Sequence, residues 1–316
     1  MISRGGNEGN VSVSSDGDAF AASVRQIDAG VLSIGYVEDG PADGRPVVLL
    51  HGFPYDIHSF AEVAPMLAAE GYRVIVPYLR GYGTTVFRSA DTPRHVDQAA
   101  FALDLLALMD ALGIDRALLA AFDWGARTAD IVAALRPERV AALVSVTGYL
   151  IADRAAANIP LPPAREAAWW YQYYFTTERG VAGLTANRHE MGRYIWAFNS
   201  PEWKFTDEIY DRTARAFDNP DFVEIVIGNY RWRLGLGPVA PEYADIEDQL
   251  RHAPTISVPT ITIDGAYDPF TPDGDGAAYR GLFTGPYDHR VLQVGHNAPQ
   301  EDPEGFVRAV LDVDKM

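Results

Sequence analysis

A chain of 316 residues, 48% hydrophobic and 22% charged, is long enough to bury a sizeable core in one large α/β domain or two ordinary ones, and its composition excludes global disorder, collagen and coiled coil. Asp and Glu number 43 against 26 Lys and Arg, a formal net charge of -17 that argues against nucleic acid and anionic membranes as partners. Cysteine is absent, which removes disulfides, thiolate nucleophiles and Cys-type metal sites, and no segment reaches the roughly 18 apolar residues of a membrane span, so cytoplasm is the expected compartment.

Residues 1 to about 20 read as a loose extension without an apolar stretch of signal-peptide length. Val31 to Val37 then reads as a strand of an opening hairpin, followed by apolar strands at Val47 to Leu50, Arg73 to Val76, Ala117 to Phe122 and Ala141 to Val146. Helical patterns lie between them at Phe60 to Glu70, Gln98 to Leu112 and Gly125 to Leu135, the last stopped by Pro137. That alternation predicts an α/β fold with a mostly parallel central sheet flanked by helices. From Ile151 to Tyr243 the text becomes aromatic and helical, broken by Pro160, Pro162, Pro163 and Pro201, and predicts an inserted helical cap. Strand patterns resume at Thr260 to Ile263 and Val291 to Val294, and the chain closes on a helix at Pro303 to Asp312. The predicted division is a core of 21–150 and 244–316 with a cap of 151–243.

The most informative segment is Ala121-Phe-Asp123-Trp-Gly125-Ala, where a strand turns into a helix with a carboxylate between small residues. This is the layout of a nucleophile elbow, with Asp in the nucleophile position and Ala121 in place of the usual first Gly. Asp123 also suits a helix N-cap. His51-Gly-Phe53-Pro54 follows an earlier strand, so the backbone N–H groups of Phe53 and Trp124 are candidate donors to a developing oxyanion. Gly265-Ala-Tyr-Asp268 and Gly295-His296 follow the last two strands, giving the chain order Asp123, Asp268, His296 for nucleophile, acid and base. A carboxylate that attacks an amide or ester makes an anhydride, whereas on saturated carbon it makes an ordinary ester. The electrophile is therefore expected at an sp³ carbon.

These residues resemble the α/β-hydrolase family, and within it the epoxide hydrolase branch, from about residue 25 to the end. The resemblance rests on Asp123-Trp-Gly-Ala and His51-Gly-Phe-Pro. It implies two cap tyrosines that hydrogen-bond the epoxide oxygen, and Tyr171 in Tyr171-Gln-Tyr-Tyr-Phe175 and Tyr230 in Asn229-Tyr-Arg231 match those segments. Tyr171 also belongs to an aromatic stripe that would pack the cap, with Tyr173 and Tyr174 as alternatives in another helix register. The resemblance implies an epoxide-like substrate and water, the density of aromatics fits a small hydrophobic one, the reaction needs no metal or other cofactor, and a monomer or homodimer is expected. His51, Pro54, Trp170 and Arg127 are expected to border the substrate, with a structural or loop-ordering role as the other reading of His51, and Trp169, Trp170, Trp196, Phe198, Trp203 and Trp232 either line the pocket or pack the cap.

Two other readings use the same residues. In haloalkane dehalogenases a Trp directly after the nucleophile holds halide, as Trp124 would, and haloacetate dehalogenases resemble Asp123-x-Gly-x-Arg127 but carry Arg where this chain has Trp124. A non-catalytic ligand binder on the same scaffold is the alternative from another class.

Overall fold

Strands rich in Val, Leu, Ile and Ala lie side by side at the centre, as continuous apolar runs do when both faces of a sheet are covered. The computed structural model of the protein describes residues 20–271 and 274–316; residues 1–19 of the expected extension lie outside the described residues. Among the described residues nine strands form one sheet: β1 (Arg25–Ala29), β2 (Leu32–Asp39), β3 (Arg45–Leu50), β4 (Tyr72–Pro77), β5 (Val86–Phe87), β6 (Ala117–Ala121), β7 (Val140–Val146), β8 (Thr260–Gly265) and β9 (Tyr287–Leu292). They are ordered β1-β2-β4-β3-β6-β7-β8-β9, with β5 paired to β2 at the side. The β1–β2, β2–β4 and β2–β5 pairings are antiparallel, and every pairing from β4 to β9 is parallel.

After β3 the chain moves to β4 on one side, and β6 lies on the other. A reversal of strand order of this kind opens a crevice at the carboxyl ends of the two strands, where ligands of open α/β sheets bind. His51 to Pro54 follow β3 there, and Asp123 lies just beyond β6.

The core helices are α1 (Val63–Ala69), α2 (Gln98–Ala111) and α3 (Asp123–Leu135). Between β7 and β8 come α4 (Pro163–Ala168), α5 (Trp170–Phe175), α6 (Glu178–Asn199), α7 (Asp207–Ala214), α8 (Phe222–Arg233) and α9 (Ala244–Leu250), with no strand among the described residues of this insertion. The chain ends on α10 (Ala298–Glu301) and α11 (Pro303–Val313). Helical text thus runs past Tyr243 to Leu250. Helix α5 packs on α6 and α8, and α7 packs on the 3-10 turn Ile57–Phe60 of the core.

Two elements differ from their predicted bounds. The helix expected from Phe60 starts at Val63, because Pro65 has no N–H to give and is tolerated only in a first turn, while Asp56 accepts from His58 N and closes the separate turn before it. The strand expected at Val291 to Val294 is Tyr287–Leu292. It is an edge strand with Asp288, His289 and Arg290 at its centre, so its apolar tail alone was visible in the pattern. Val294 is buried beyond it, where its carbonyl accepts from Tyr267 N at 2.9 Å.

Candidate active site

Asp123 stands at the first turn of α3 with φ of 52°, the left-handed region that non-glycine residues rarely occupy. Its neighbours make that turn possible. A Cβ on Gly125 would lie 2.2 Å from the Leu50 carbonyl oxygen, and one on Gly52 would lie 2.1 Å from Asp123 Oδ1. Both glycines are therefore required by close approach. Ala121 is fully buried at the end of β6, and its methyl is accommodated there.

The Phe53 N–H donates to Asp123 Oδ1 at 2.7 Å, and the Trp124 N–H also bonds the Asp123 carboxylate. Both expected oxyanion donors therefore address the carboxyl group of Asp123. Asp123 Oδ2 lies 3.4 Å from His296 Nε2, and His296 Nδ1 lies 2.7 Å from Asp268 Oδ2. Asp268 Oδ1 accepts from Phe270 N at 2.9 Å. The structure thus brings Asp123, His296 and Asp268 together in one line.

Electrostatics follow from this line. Burial alone would raise the Asp123 pKa, but the hydrogen bond and charge of His296 and the two backbone amides outweigh it and hold the group below the usual carboxylate value. Burial alone would lower His296, but Asp268 and Asp123 together push it up to about 10. At neutral pH the three groups form an imidazolium between two carboxylates.

A cavity of about 270 Å³ opens onto Asp123 and His296. Tyr171 lies in its wall, whereas Tyr173 is exposed and bonds Glu166, and Tyr174 donates to the Arg179 carbonyl. Tyr230 is buried beside it, with its ring 5.5 Å from the Tyr171 ring and 5.6 Å from that of Trp124. Both phenols are raised in pKa, first by burial and with the Asp123 charge contributing, so they remain protonated donors at neutral pH.

The remaining expected site residues fall in different places. Arg127 lines the cavity and donates to Asn229 Oδ1 at 2.7 Å. His51 lies below it: Nε2 accepts from Leu79 N, Nδ1 donates to the Gly52 carbonyl, and burial lowers its pKa to about 4, so it is a neutral ring that orders the loop. Pro54 presents its carbonyl to Trp196 Nε1 at 2.7 Å and is not a lining residue. Trp170 packs against Tyr171, Tyr174 and Tyr194, and it is Trp169 that lines the cavity. Trp196 stacks on Trp203, and Trp232 Nε1 donates to Asp97 Oδ1.

Sequence reasoning missed several members of the site. Arg165, Arg233 and Phe270 line the cavity, and Ser200 and Glu301 fix the loop that bears His296. Ser200 Oγ accepts from His296 N and donates to Glu301 Oε1, and Glu301 Oε2 accepts from Gly295 N. No motif marks these residues, since each acts through a contact between segments distant in the chain. Among the described residues no group of three His, Cys, Asp or Glu side chains is arranged to hold a metal, and no helix is long and apolar enough to cross a membrane.

Residues 45–303 match the family model of the alpha/beta hydrolase fold. Epoxide hydrolase B of Mycobacterium tuberculosis is 27% identical over 87% of this chain and 93% of its own length. A haloalkane dehalogenase of Mycobacterium marinum is 38% identical over 66% of this chain and 68% of its own. A crystal structure from Klebsiella pneumoniae subsp. pneumoniae MGH 78578, provisionally assigned as an epoxide hydrolase, is 57% identical, with a TM-score of 0.92 over 96% of this chain and 100% of that one.

Proposed function

Because the chain belongs to the alpha/beta hydrolase fold family, we propose that it hydrolyses an epoxide to a vicinal diol through an ester of Asp123. The observation that carries this reading is the placement of one carboxylate, Asp123, between two amide donors, a His–Asp pair and the phenol of Tyr171 in one cavity. The similarity to an epoxide hydrolase of M. tuberculosis supports it.

In the first step Asp123 Oδ2 attacks an epoxide carbon, since Oδ1 is held by the amides. The carbon–oxygen bond of the ring breaks toward oxygen, and Tyr171, assisted by Tyr230, gives that oxygen its proton. A hydroxyalkyl ester results, and the phenol regains its proton from solvent. In the second step His296 Nε2 removes a proton from water, whose oxygen adds to the Asp123 carboxyl carbon. Phe53 and Trp124 N–H carry the charge that develops on Oδ1. Collapse expels the diol oxygen, which takes the proton back from His296, and the carboxylic acid left at Asp123 then gives its own proton to His296, restoring the carboxylate and the imidazolium. Asp268 acts by orienting His296 and stabilising its cation.

Mass spectrometry with styrene oxide tests the scheme. Asp123→Asn forms no adduct, His296→Gln accumulates an ester of the protein plus one epoxide, and Tyr171→Phe slows adduct formation by roughly 10²-fold or more. Diol formed without any adduct in His296→Gln overturns it. A dehalogenase reading has one observation in its favour: Trp124 Nε1 is buried in the cavity wall without a partner, as a halide ligand would be. Bromide release from 1-bromobutane without diol formation from any epoxide would decide for it.

A further inference from the structure

The protein carries a net charge of -17 and only two lysines, Lys204 and Lys315, yet three arginines, Arg127, Arg165 and Arg233, share the wall of the catalytic cavity. They come from three helices: Arg127 from α3 of the core, Arg165 and Arg233 from α4 and α8 of the insertion. Among the described residues none of the three has a carboxylate within ion-pair distance. The other acids of the cavity are engaged elsewhere. Asp123 faces His296, Asp264 accepts from Tyr279 at 3.0 Å with His289 beside it, and Asp275 accepts from Ala277 N.

Arg127 is 3% exposed, and one hydrogen bond, to Asn229 Oδ1, is its contact with another side chain. A guanidinium has five donors, so most of its capacity is unspent at the cavity wall that Arg127 lines. Its pKa is lowered to about 10, by burial first and by the charge of Arg233 second, so two cations repel each other across the cavity. Arg233 stands with its guanidinium carbon over the Trp169 ring, 4.9 Å from its centre, a cation–π contact that leaves its donors free for a ligand. Arg127 is the buried cation of the three, and with no carboxylate within ion-pair distance it costs stability, a cost that an anion entering the cavity offsets.

We propose that Arg127, Arg165 and Arg233 form a carboxylate subsite, so that the preferred substrate is an epoxide that also bears a carboxylate. The inference rests on the epoxide reading for the reaction, and on the arginines alone for the anion. It replaces the apolar substrate expected from the aromatic-rich sequence with an amphipathic one: Trp169, Tyr171 and Phe270 take its hydrocarbon part, and the arginines take its charge. Because Arg127 belongs to the core and the other two to the insertion, a bound carboxylate would tie the two together over the nucleophile.

The test compares 4-(oxiran-2-yl)benzoate with its primary amide, which has nearly the same shape without the charge. The expected kcat/KM ratio is about 10–100 in favour of the carboxylate, as for charge-assisted hydrogen bonds, and it falls toward one in Arg233→Gln and Arg165→Gln. A ratio of one or less in the unaltered protein overturns the subsite. Tryptophan fluorescence, with Trp169 as the reporter, is titrated with benzoate in parallel. If neither epoxide is opened, saturable benzoate binding that weakens in high salt and in Arg233→Gln upholds the subsite while the reaction assignment fails. Absence of saturable benzoate binding overturns the subsite even if the amide is hydrolysed well.

Discussion

In the proposed scheme His296 is a cation at rest and a base later, and its surroundings supply the change. In the free protein Asp268 and Asp123 push its pKa up to about 10. Esterification removes the Asp123 charge and the hydrogen bond to Oδ2, two of the causes that raise it, so His296 falls back toward neutrality once it has an ester to hydrolyse. Single-turnover measurements should find ester hydrolysis rising with pH through a titration clearly below 10. A titration at or above that value would separate His296 from the step. Linkage runs the other way for stability: the His296 cation contributes fully below the unfolded value of 6.5, and the contribution is lost as pH rises toward about 10. The line Asp123, Asp268 and His296 was legible in the sequence because each follows a strand and a turn, in an order with few other uses. The side of Trp169 was not. Trp169 sits between two short helices at φ of -93° and ψ of 14°, and that break, rather than either tryptophan, decides that Trp169 faces the cavity and Trp170 turns away.

At the scale of elements, the site depends on how closely β3, β6 and α3 approach. Gly125→Ala would drive a methyl into the Leu50 and His51 carbonyls, backbone atoms that cannot swing aside. A loss of about 1–3 kcal/mol or more in urea unfolding is expected. Gly52→Ala meets the Asp123 side chain instead, so its loss should appear in the rate of adduct formation more than in stability. Equal stability losses from the two would contradict this division. The central strands were readable because parallel strands buried on both faces are apolar throughout, whereas β9 was half hidden: at the edge of the sheet its residues need not be apolar, and Tyr287 to Arg290 pair with β8 through backbone groups that any sequence possesses.

Across the whole molecule the insertion and the core meet through polar contacts beside the site. Trp196 donates to the Pro54 carbonyl next to the oxyanion loop, and Ser200 accepts from His296 N while donating to Glu301. Gly295 is pressed so closely to Ser200 that a Cβ there would lie 2.5 Å from the Ser200 Cα. Ser200→Ala removes one acceptor from the His296 amide, which keeps the Asn199 carbonyl at 3.2 Å, and one donor from Glu301, which keeps Gly295 N and Asn297 N; it should cost about 0.5–1.5 kcal/mol in unfolding and lower the rate of ester hydrolysis more than that of ester formation. Equal effects on the two steps would show that the contact serves stability alone. None of this was legible from sequence, since Ser200 is set by the way α6 ends and His296 by the way β9 ends, and their meeting belongs to neither.

The cradle around Asp123 has a further consequence. An amide in place of its carboxylate would keep its carbonyl oxygen under the Phe53 and Trp124 amides, with His296 and a water on the open face, which is the arrangement that the proposed scheme uses to cleave the ester. Asp123→Asn is therefore a slow substrate of its own active site. It should lose ammonia, gain about one mass unit and recover activity on storage, with a time course independent of protein concentration and abolished by His296→Gln. The site would in effect proofread the residue at its centre, restoring the one side chain that its geometry was built to regenerate.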